Sequence, residues 1–283
     1  MSTSIHFDAI GFAGGGNRCY WQSGFWEAFA GLHPQRPGYY VTVSAGAYHC
    51  AMNLTGKARQ VREAAIAFAG ERRPDFVWKN LISGRSPFVV GGLFDQFLTT
   101  MFDDGDLAIL REAPPIFMQV SRPPPLMPSA LAALGSIAAY QLEKRITGGA
   151  YSKAGRYLGL SPAWISTHEM QSVRDLIDGI LATASVPPFM RVGRIHGRPC
   201  LDGGLVDNPP LLMLEGTEED GGRTLLLTTR HGRVPPSSRN RTVVSPSEPI
   251  TVNNFTIRDP DGLRRAYEIG LRDGERFARA QGA

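Results

Sequence analysis

Apolar positions along the 283-residue chain fall into short blocks that alternate between two periods. Ile5 to Phe12 is rich in strand-forming residues and runs into Ala13-Gly14-Gly15-Gly16-Asn17. Arg18 to Gly31 then carries Trp21, Phe25 and Phe29 at fourfold spacing, which predicts a helix. Tyr39 to Val43 reads as a second strand ending at Ser44-Ala45-Gly46, with Ala47 to Leu54 starting another helix and Lys57 to Ala69 a further one. Strands are predicted at Pro115 to Val120, Ala163 to His168 and Thr224 to Thr229. Helices are predicted at Leu131 to Arg145, Val173 to Ala182 and Asp259 to Ala280, and the polar segment His231 to Pro249 reads as a loop. Strands alternating with helices predict an α/β fold whose parallel or mixed sheet is covered by helices. There is no internal repeat.

Composition narrows this picture. Gly (32) and Pro (21) make up 53 of 283 residues, or 19%, which is loop-rich but short of the disordered range. With 42% hydrophobic and 20% charged residues, a coiled coil, a collagen-like fibre and a disulfide scaffold are all excluded. The net charge of +4 rests on 26 Arg and only 4 Lys. A weakly positive field suits anionic partners such as nucleic acid or lipid headgroups, but Arg-for-Lys usage in a GC-rich genome is the simpler explanation. Cys19, Cys50 and Cys200 are odd in number with no CxxC, so they read as buried thiols in a reducing compartment. The first residues lack a basic n-region, and Asp8 interrupts the first apolar stretch. The longest uncharged run, Pro123 to Leu142, has four prolines among its first six residues, and the remainder is too short to span a bilayer. The expectation is a cytoplasmic or peripheral membrane protein without a signal peptide or transmembrane helix.

Three constellations could carry chemistry. Gly14-Gly15-Gly16-Asn17-Arg18 lies between a strand and a helix, where absent Cβ atoms let backbone N–H groups approach an anion. A phosphate or a tetrahedral oxyanion would fit, and so would a plain tight turn. No Gly-Lys-Ser/Thr follows, which excludes a Walker loop, and Cys19 occupies the third glycine position of a Rossmann fingerprint. Thr42-Val43-Ser44-Ala45-Gly46 could be a nucleophile elbow, although Ser44 could equally be a helix N-cap. Asp202-Gly203-Gly204, followed by Asn208-Pro209-Pro210, could be a simple turn or could present a carboxylate. A histidine base would have to be His168, His196 or His231, and nothing around them marks a catalytic loop. No His/Cys cluster calls for a metal.

Taken together, these motifs resemble the patatin-like phospholipase family. The match comprises the glycine-rich motif at Gly14 to Arg18, Ser-Ala-Gly-Ala at Ser44 to Ala47, and Asp-Gly-Gly at Asp202 to Gly204. The Ala182-Thr183-Ala184-Ser185-Val186-Pro187-Pro188 stretch and Asn208-Pro209 also match, so the resemblance spans residue 10 to about 210, while 55–165 carries no anchoring motif. The resemblance implies a three-layer α/β/α sandwich with a mixed, mainly parallel central sheet, here as one domain over 1–283 with a motif-bearing core at about 5–215 and a C-terminal helix at about 259–280. It implies a Ser-Asp dyad: Ser44 as nucleophile, Asp202 as general base, and Gly14, Gly15, Gly16 and Arg18 as the oxyanion hole. Gly46, Gly203 and Gly204 would support the elbow and the turn beside the base. Thr42 stands where the family usually has glycine, and the expectation is a tilted serine or a narrowed acyl slot.

The function implied is a lipid acyl hydrolase acting on carboxylic esters through an acyl-enzyme, with no cofactor, no metal and no nucleic-acid partner. The substrate would be a phospholipid or other acyl lipid. Two alternatives stand beside it: a catalytically impaired patatin-fold protein with a lipid-binding or regulatory role, and a nucleotide-phosphate binder using the Gly14–Gly16 loop. The uncharged segment Leu126 to Leu142 reads either as a lid or interfacial helix, or as a core helix. Arg230, Arg233, Arg239 and Arg241 could meet phosphate headgroups or form an ordinary solvated loop.

Overall fold

The computed structural model describes residues 5–71, 73–82, 86–125, 127, 128, 131, 132, 134, 135, 138, 154–232, 235 and 238–281. Among them are the strands β1 (Ala9–Phe12), β2 (Tyr39–Val43), β3 (Ile116–Arg122), β4 (Ser161–Ser166), β5 (Gly193–Ile195), β6 (Arg198–Asp202), β7 (Thr224–Leu227) and β8 (Arg241–Val244). The helices are α1 (Tyr20–Leu32), α2 (Ala45–Leu54), α3 (Ala58–Gly70), α4 (Lys79–Ile82), α5 (Val90–Met101), α6 (Asp104–Glu112), α7 (Ala154–Tyr157), α8 (Val173–Thr183), α9 (Leu211–Glu219) and α10 (Pro260–Gln281).

All eight strands join one sheet in the order β5-β6-β3-β2-β1-β7-β8, with β4 also paired to β3. The run β3-β2-β1-β7-β8 is parallel, and β4, β5 and β6 are antiparallel to their neighbours. The sheet is therefore mixed and mainly parallel, as expected. Every residue of β1 is buried because helices cover both faces of the sheet. Ile10, Phe12, Tyr40, Leu225 and Leu227 face the main core with Trp21, Phe25 and Phe29 of α1. Ala9, Val41 and Leu226 point to the other side, against Leu211 and Leu214 of α9. Truncating one of the buried aromatics of α1 should cost about 3–5 kcal/mol.

Several elements differ from the expectation. The segment His231–Pro249 is not all loop: Arg241–Val244 forms β8, a four-residue strand parallel to β7. Its first residue is a buried arginine whose Nε and Nη2 each donate to Glu218 of α9 at 2.7 Å. Arg241 is therefore committed to the fold and does not meet a phosphate headgroup. The hairpin β5–β6 went unpredicted because it is short and contains Pro199. Helices α5, α6 and α9 were also unpredicted, although α6 has a full capping box between Asp103 and Asp106. The proposed Leu131–Arg145 helix, with Ile137 and Leu142, lies mostly outside the described residues. Within it, Ala132 is buried while Leu131 and Leu134 are exposed. No described helix is long and apolar enough to cross a membrane.

Candidate active site

Two strands bring the sequence motifs together. Along β3, Gln119 pairs with Val43 of β2, and the next residue, Val120, pairs with Asp202 of β6. Neighbouring positions of one strand thus deliver the chain leading into Ser44 and the chain ending at Asp202. The Gln119 side chain reinforces this by donating to the carbonyls of Gly203 at 3.0 Å and Asp207 at 2.8 Å.

Ser44 occupies the corner between β2 and α2 with φ 54° and ψ −133°, a left-handed conformation that is costly for a residue with a Cβ. This is the geometry of an elbow rather than of an N-cap, and the Ser44 side chain makes no capping bond. The turn is held by Thr183, whose Oγ1 accepts the Ser44 N–H at 3.0 Å and donates in turn to the Gln119 carbonyl. Gly46 has no room for a side chain, since a Cβ there would lie 2.7 Å from the Phe12 carbonyl oxygen and 2.9 Å from that of Ala13. Thr42 is fully buried, with its hydroxyl 3.4 Å from the Phe117 carbonyl on β3. It is not among the described residues that line the cavity beside Ser44.

Asp202 ends β6 and is buried. Its backbone N–H donates to the Ser185 carbonyl at 2.8 Å, and Ser121 Oγ donates to its carbonyl at 2.7 Å. The Ala182–Pro188 stretch therefore clamps both partners, Ser44 through Thr183 and Asp202 through Ser185. The carboxylate Oδ1 accepts the Gly204 N–H at 2.7 Å. A Cβ on Gly203 would fall 2.2 Å from the Gln119 carbonyl oxygen, so only glycine allows the chain to turn this close to β3. Burial pushes the Asp202 carboxyl up to about 6, and hydrogen bonds from the Ser44 hydroxyl and the Gly204 N–H act against that rise.

The glycine loop commits several of its N–H groups to structure. Gly14 N–H donates to Asn208 Oδ1 at 3.0 Å, Asn17 N–H to the Asn254 carbonyl at 3.2 Å, and Arg18 N–H to the Gly15 carbonyl at 3.3 Å. The N–H groups of Gly15 and Gly16 have no protein acceptor among the described residues. Thr229 donates to the Gly14 carbonyl at 3.0 Å and packs so closely that a Cβ on Gly15 would lie 2.4 Å from its Oγ1. Gly16 has φ 55° and abuts the Asn254 carbonyl.

Beside Ser44 opens a cavity walled mainly by Tyr20, Tyr48, Phe68, Leu93, Phe97 and Met190. Helix α5 supplies much of this wall, and it carries no motif that would have revealed it. The histidine that lines the cavity is His49, which the motif reading did not consider. Its Nδ1 is 2.8 Å from Ser23 Oγ, and burial lowers its pKa to about 3, so the ring stays neutral and bonded away from Ser44. His168 and His231 bond to the carbonyls of Ala113 and Pro246. No group of three or more metal-ligating side chains occurs among the described residues.

This order of motifs on this sheet is matched by a known family. The model described as patatin-like phospholipase aligns with residues 11–214, most of the chain and all three motifs. The chain belongs to the patatin-like phospholipase family. None of the curated proteins compared with it matches. Among solved structures, the patatin-like chain is similar to VipD from Legionella pneumophila, at 12% identity and a TM-score of 0.49, over 97% of this chain and 67% of that one.

Proposed function

We propose that this patatin-like protein is a lipid acyl hydrolase that uses Ser44 as nucleophile and Asp202 as general base. The observation that carries the reading is a buried carboxylate, raised to about 6, that is hydrogen-bonded to the hydroxyl of a serine on a strained elbow. A carboxylate at its ordinary pKa is a feeble base, and the rise makes Asp202 a stronger one that is still ionised at neutral pH.

In the first step Ser44 Oγ attacks the ester carbonyl carbon while its proton passes to Asp202. The carbonyl electron pair moves onto oxygen, where the N–H groups of Gly15 and Gly16 receive the developing charge. The Gly14 N–H is taken by Asn208 and the Arg18 N–H by the Gly15 carbonyl, so the oxyanion role narrows to the two glycines between them. Collapse breaks the ester C–O bond, and the departing alkoxide takes the proton from Asp202. Asp202 then deprotonates a water that attacks the acyl-enzyme, and as the carboxylic acid is released Asp202 returns that proton to Ser44 Oγ, restoring both residues. The apolar cavity beside Ser44 suits the hydrocarbon part of the acyl group.

The nucleotide reading loses support from the same surroundings. A phosphate at the Gly14–Gly16 loop would sit beside the buried Asp202 carboxylate and an apolar cavity, both unfavourable to polyanions. Fluorophosphonate labelling tests the assignment: the wild type should form one adduct and Ser44→Ala none. Equal labelling of both would remove Ser44 from the mechanism. An unlabelled wild type that also fails to hydrolyse p-nitrophenyl esters would favour the lipid-binding alternative.

A further inference from the structure

We propose that Trp78 and Ile82 form a membrane-docking tip that seats the protein on a bilayer containing anionic phospholipid, at the outer end of an aromatic path leading from the cavity. The choice of a lipid surface rests on the acyl-hydrolase reading; the surface itself is read from its own residues.

The path begins at Phe255, which lines the cavity. Phe255 stacks on Phe189 with centroids 5.0 Å apart and planes within 4°. Phe189 meets Phe88 at 4.7 Å, Phe88 meets Phe76 at 5.1 Å, and Phe76 meets Trp78 at 4.8 Å. The rings thus run without a break from the substrate cavity to a tip. Trp78 there, just before α4, is 74% exposed, and Ile82, at the end of α4, is 92% exposed. Ile82 is the most exposed large apolar residue among those described.

The tip stands on a firm base. Phe76 and Phe88 form an antiparallel bridge, with Val77 N–H donating to the Pro87 carbonyl at 2.8 Å and Val89 N–H to the Asp75 carbonyl at 3.3 Å. The far rim of the cavity is tied to the same base, because Ile257 N–H donates to Asp75 Oδ1 at 3.1 Å and Arg258 Nε to the Arg73 carbonyl at 2.7 Å. An aromatic ring and a branched aliphatic held out into solvent by a rigid support fit insertion at the headgroup boundary, where tryptophan is favoured. Charge selects the kind of surface. In sequence, residues 71–89 carry Arg72, Arg73, Lys79 and Arg85 against Glu71 and Asp75, a balance that favours an anionic leaflet. The docking surface therefore lies at Trp78 and Ile82.

Co-sedimentation with phosphatidylcholine vesicles, with and without phosphatidylglycerol, tests this. The wild type should bind the phosphatidylglycerol vesicles, less so at high salt, with a blue shift in tryptophan emission. Trp78→Ser/Ile82→Ser should weaken that binding by at least about tenfold, since it removes both side chains that would enter the bilayer. Its thermal midpoint should match the wild type, because neither residue packs in the core. Ser44→Ala should bind vesicles like the wild type, and the double variant should still hydrolyse dissolved p-nitrophenyl butyrate. Undiminished vesicle binding by the double variant overturns the proposal. So does a wild type that ignores vesicles, or one whose Trp78-dependent behaviour is self-association. Vesicle binding that depends on Trp78 in a protein without esterase activity would uphold the docking tip and strike the hydrolase reading alone.

Discussion

Asp202 Oδ1 accepts the backbone N–H of Gly204 at 2.7 Å, so the chain folds back on its own carboxylate within two residues. A Cβ on Gly204 would stand 2.9 Å from that same oxygen. The turn therefore gives the carboxylate a main-chain anchor, in a pocket where burial raises its pKa to about 6. Two consequences follow from that value, one for activity and one for stability.

Activity should require ionised Asp202. The expected kcat/KM profile rises with pH, has its midpoint near 6, and is flat above 7 up to the next ionisation. Asp202→Asn should remove the rise and lower kcat/KM by roughly 10²- to 10⁴-fold, the usual span for a general base. Initial rates on a dissolved p-nitrophenyl ester from pH 4.5 to 8 measure both. A midpoint near 4 in the wild type would mean that the carboxylate is solvated and not the base.

The same rise costs stability. Below the unfolded value of 3.8 Asp202 is protonated in both states and nothing is lost. Between 3.8 and about 6 the unfolded chain gives up its proton first, so the contribution falls as pH rises and stays lost above 6. Asp202→Asn should therefore be more stable than the wild type at pH 7.5, on the order of 2–3 kcal/mol. That advantage should shrink toward pH 4. Urea unfolding of both proteins at the two pH values is the measurement, and an equal difference at both would sink the linkage.

Thr42 offers a test of packing against specificity. Its hydroxyl lies 3.4 Å from the Phe117 carbonyl, its side chain is fully buried, and it is absent from the described cavity lining. Thr42→Gly, which restores the residue usual in the family motif, should lower stability by about 1–2 kcal/mol through lost packing and added unfolded-state freedom. Preference among p-nitrophenyl esters of different chain length should not change. A shift toward longer chains would place Thr42 in the acyl path after all.

How much of this was readable from sequence depends on where the chemistry sits. Ser44, Asp202 and the Gly14–Gly16 loop lie where strands end, and chain geometry there demands small residues in a fixed order. That left a readable trace. Gly46 and Gly203 are glycine because main-chain carbonyls lie within 2.7 and 2.2 Å of where a Cβ would be. The parts that were missed act through burial or through single long-range bonds. Thr183 sits in a stretch that matches the family, but its bond to Ser44, 139 residues away, leaves no mark in the sequence. Strand β8 is a four-residue edge beginning with Arg241, whose partner Glu218 lies on a helix that was itself unpredicted. The cavity wall from α5 and the tip at Trp78 are built of ordinary apolar residues, which become informative only when their exposure is known.

Asn208 separates positioning from folding. Its Oδ1 accepts the Gly14 N–H at 3.0 Å, on the residue that precedes the two proposed oxyanion donors. Removing the acceptor leaves a part-buried N–H unsatisfied and frees the loop, at a cost of about 1–3 kcal/mol to whichever state needs the loop in place. If the ground state needs it, Asn208→Ala should lower the unfolding midpoint with little change in rate per folded molecule. If the transition state needs it more, kcat should fall roughly tenfold or further while KM stays within about twofold. We expect the second pattern, because Gly14 is also held through its carbonyl by Thr229 at 3.0 Å and the loop should stay folded. Asn208→Asp keeps an acceptor for Gly14 N–H and should recover much of kcat. It also adds a negative charge near the Asp202 turn, since Asn208 approaches Gly204, so the midpoint of its pH profile should move above that of the wild type. Asn208→Ala and Asn208→Asp losing activity equally, with unchanged midpoints, would show that Asn208 does not position the glycine loop.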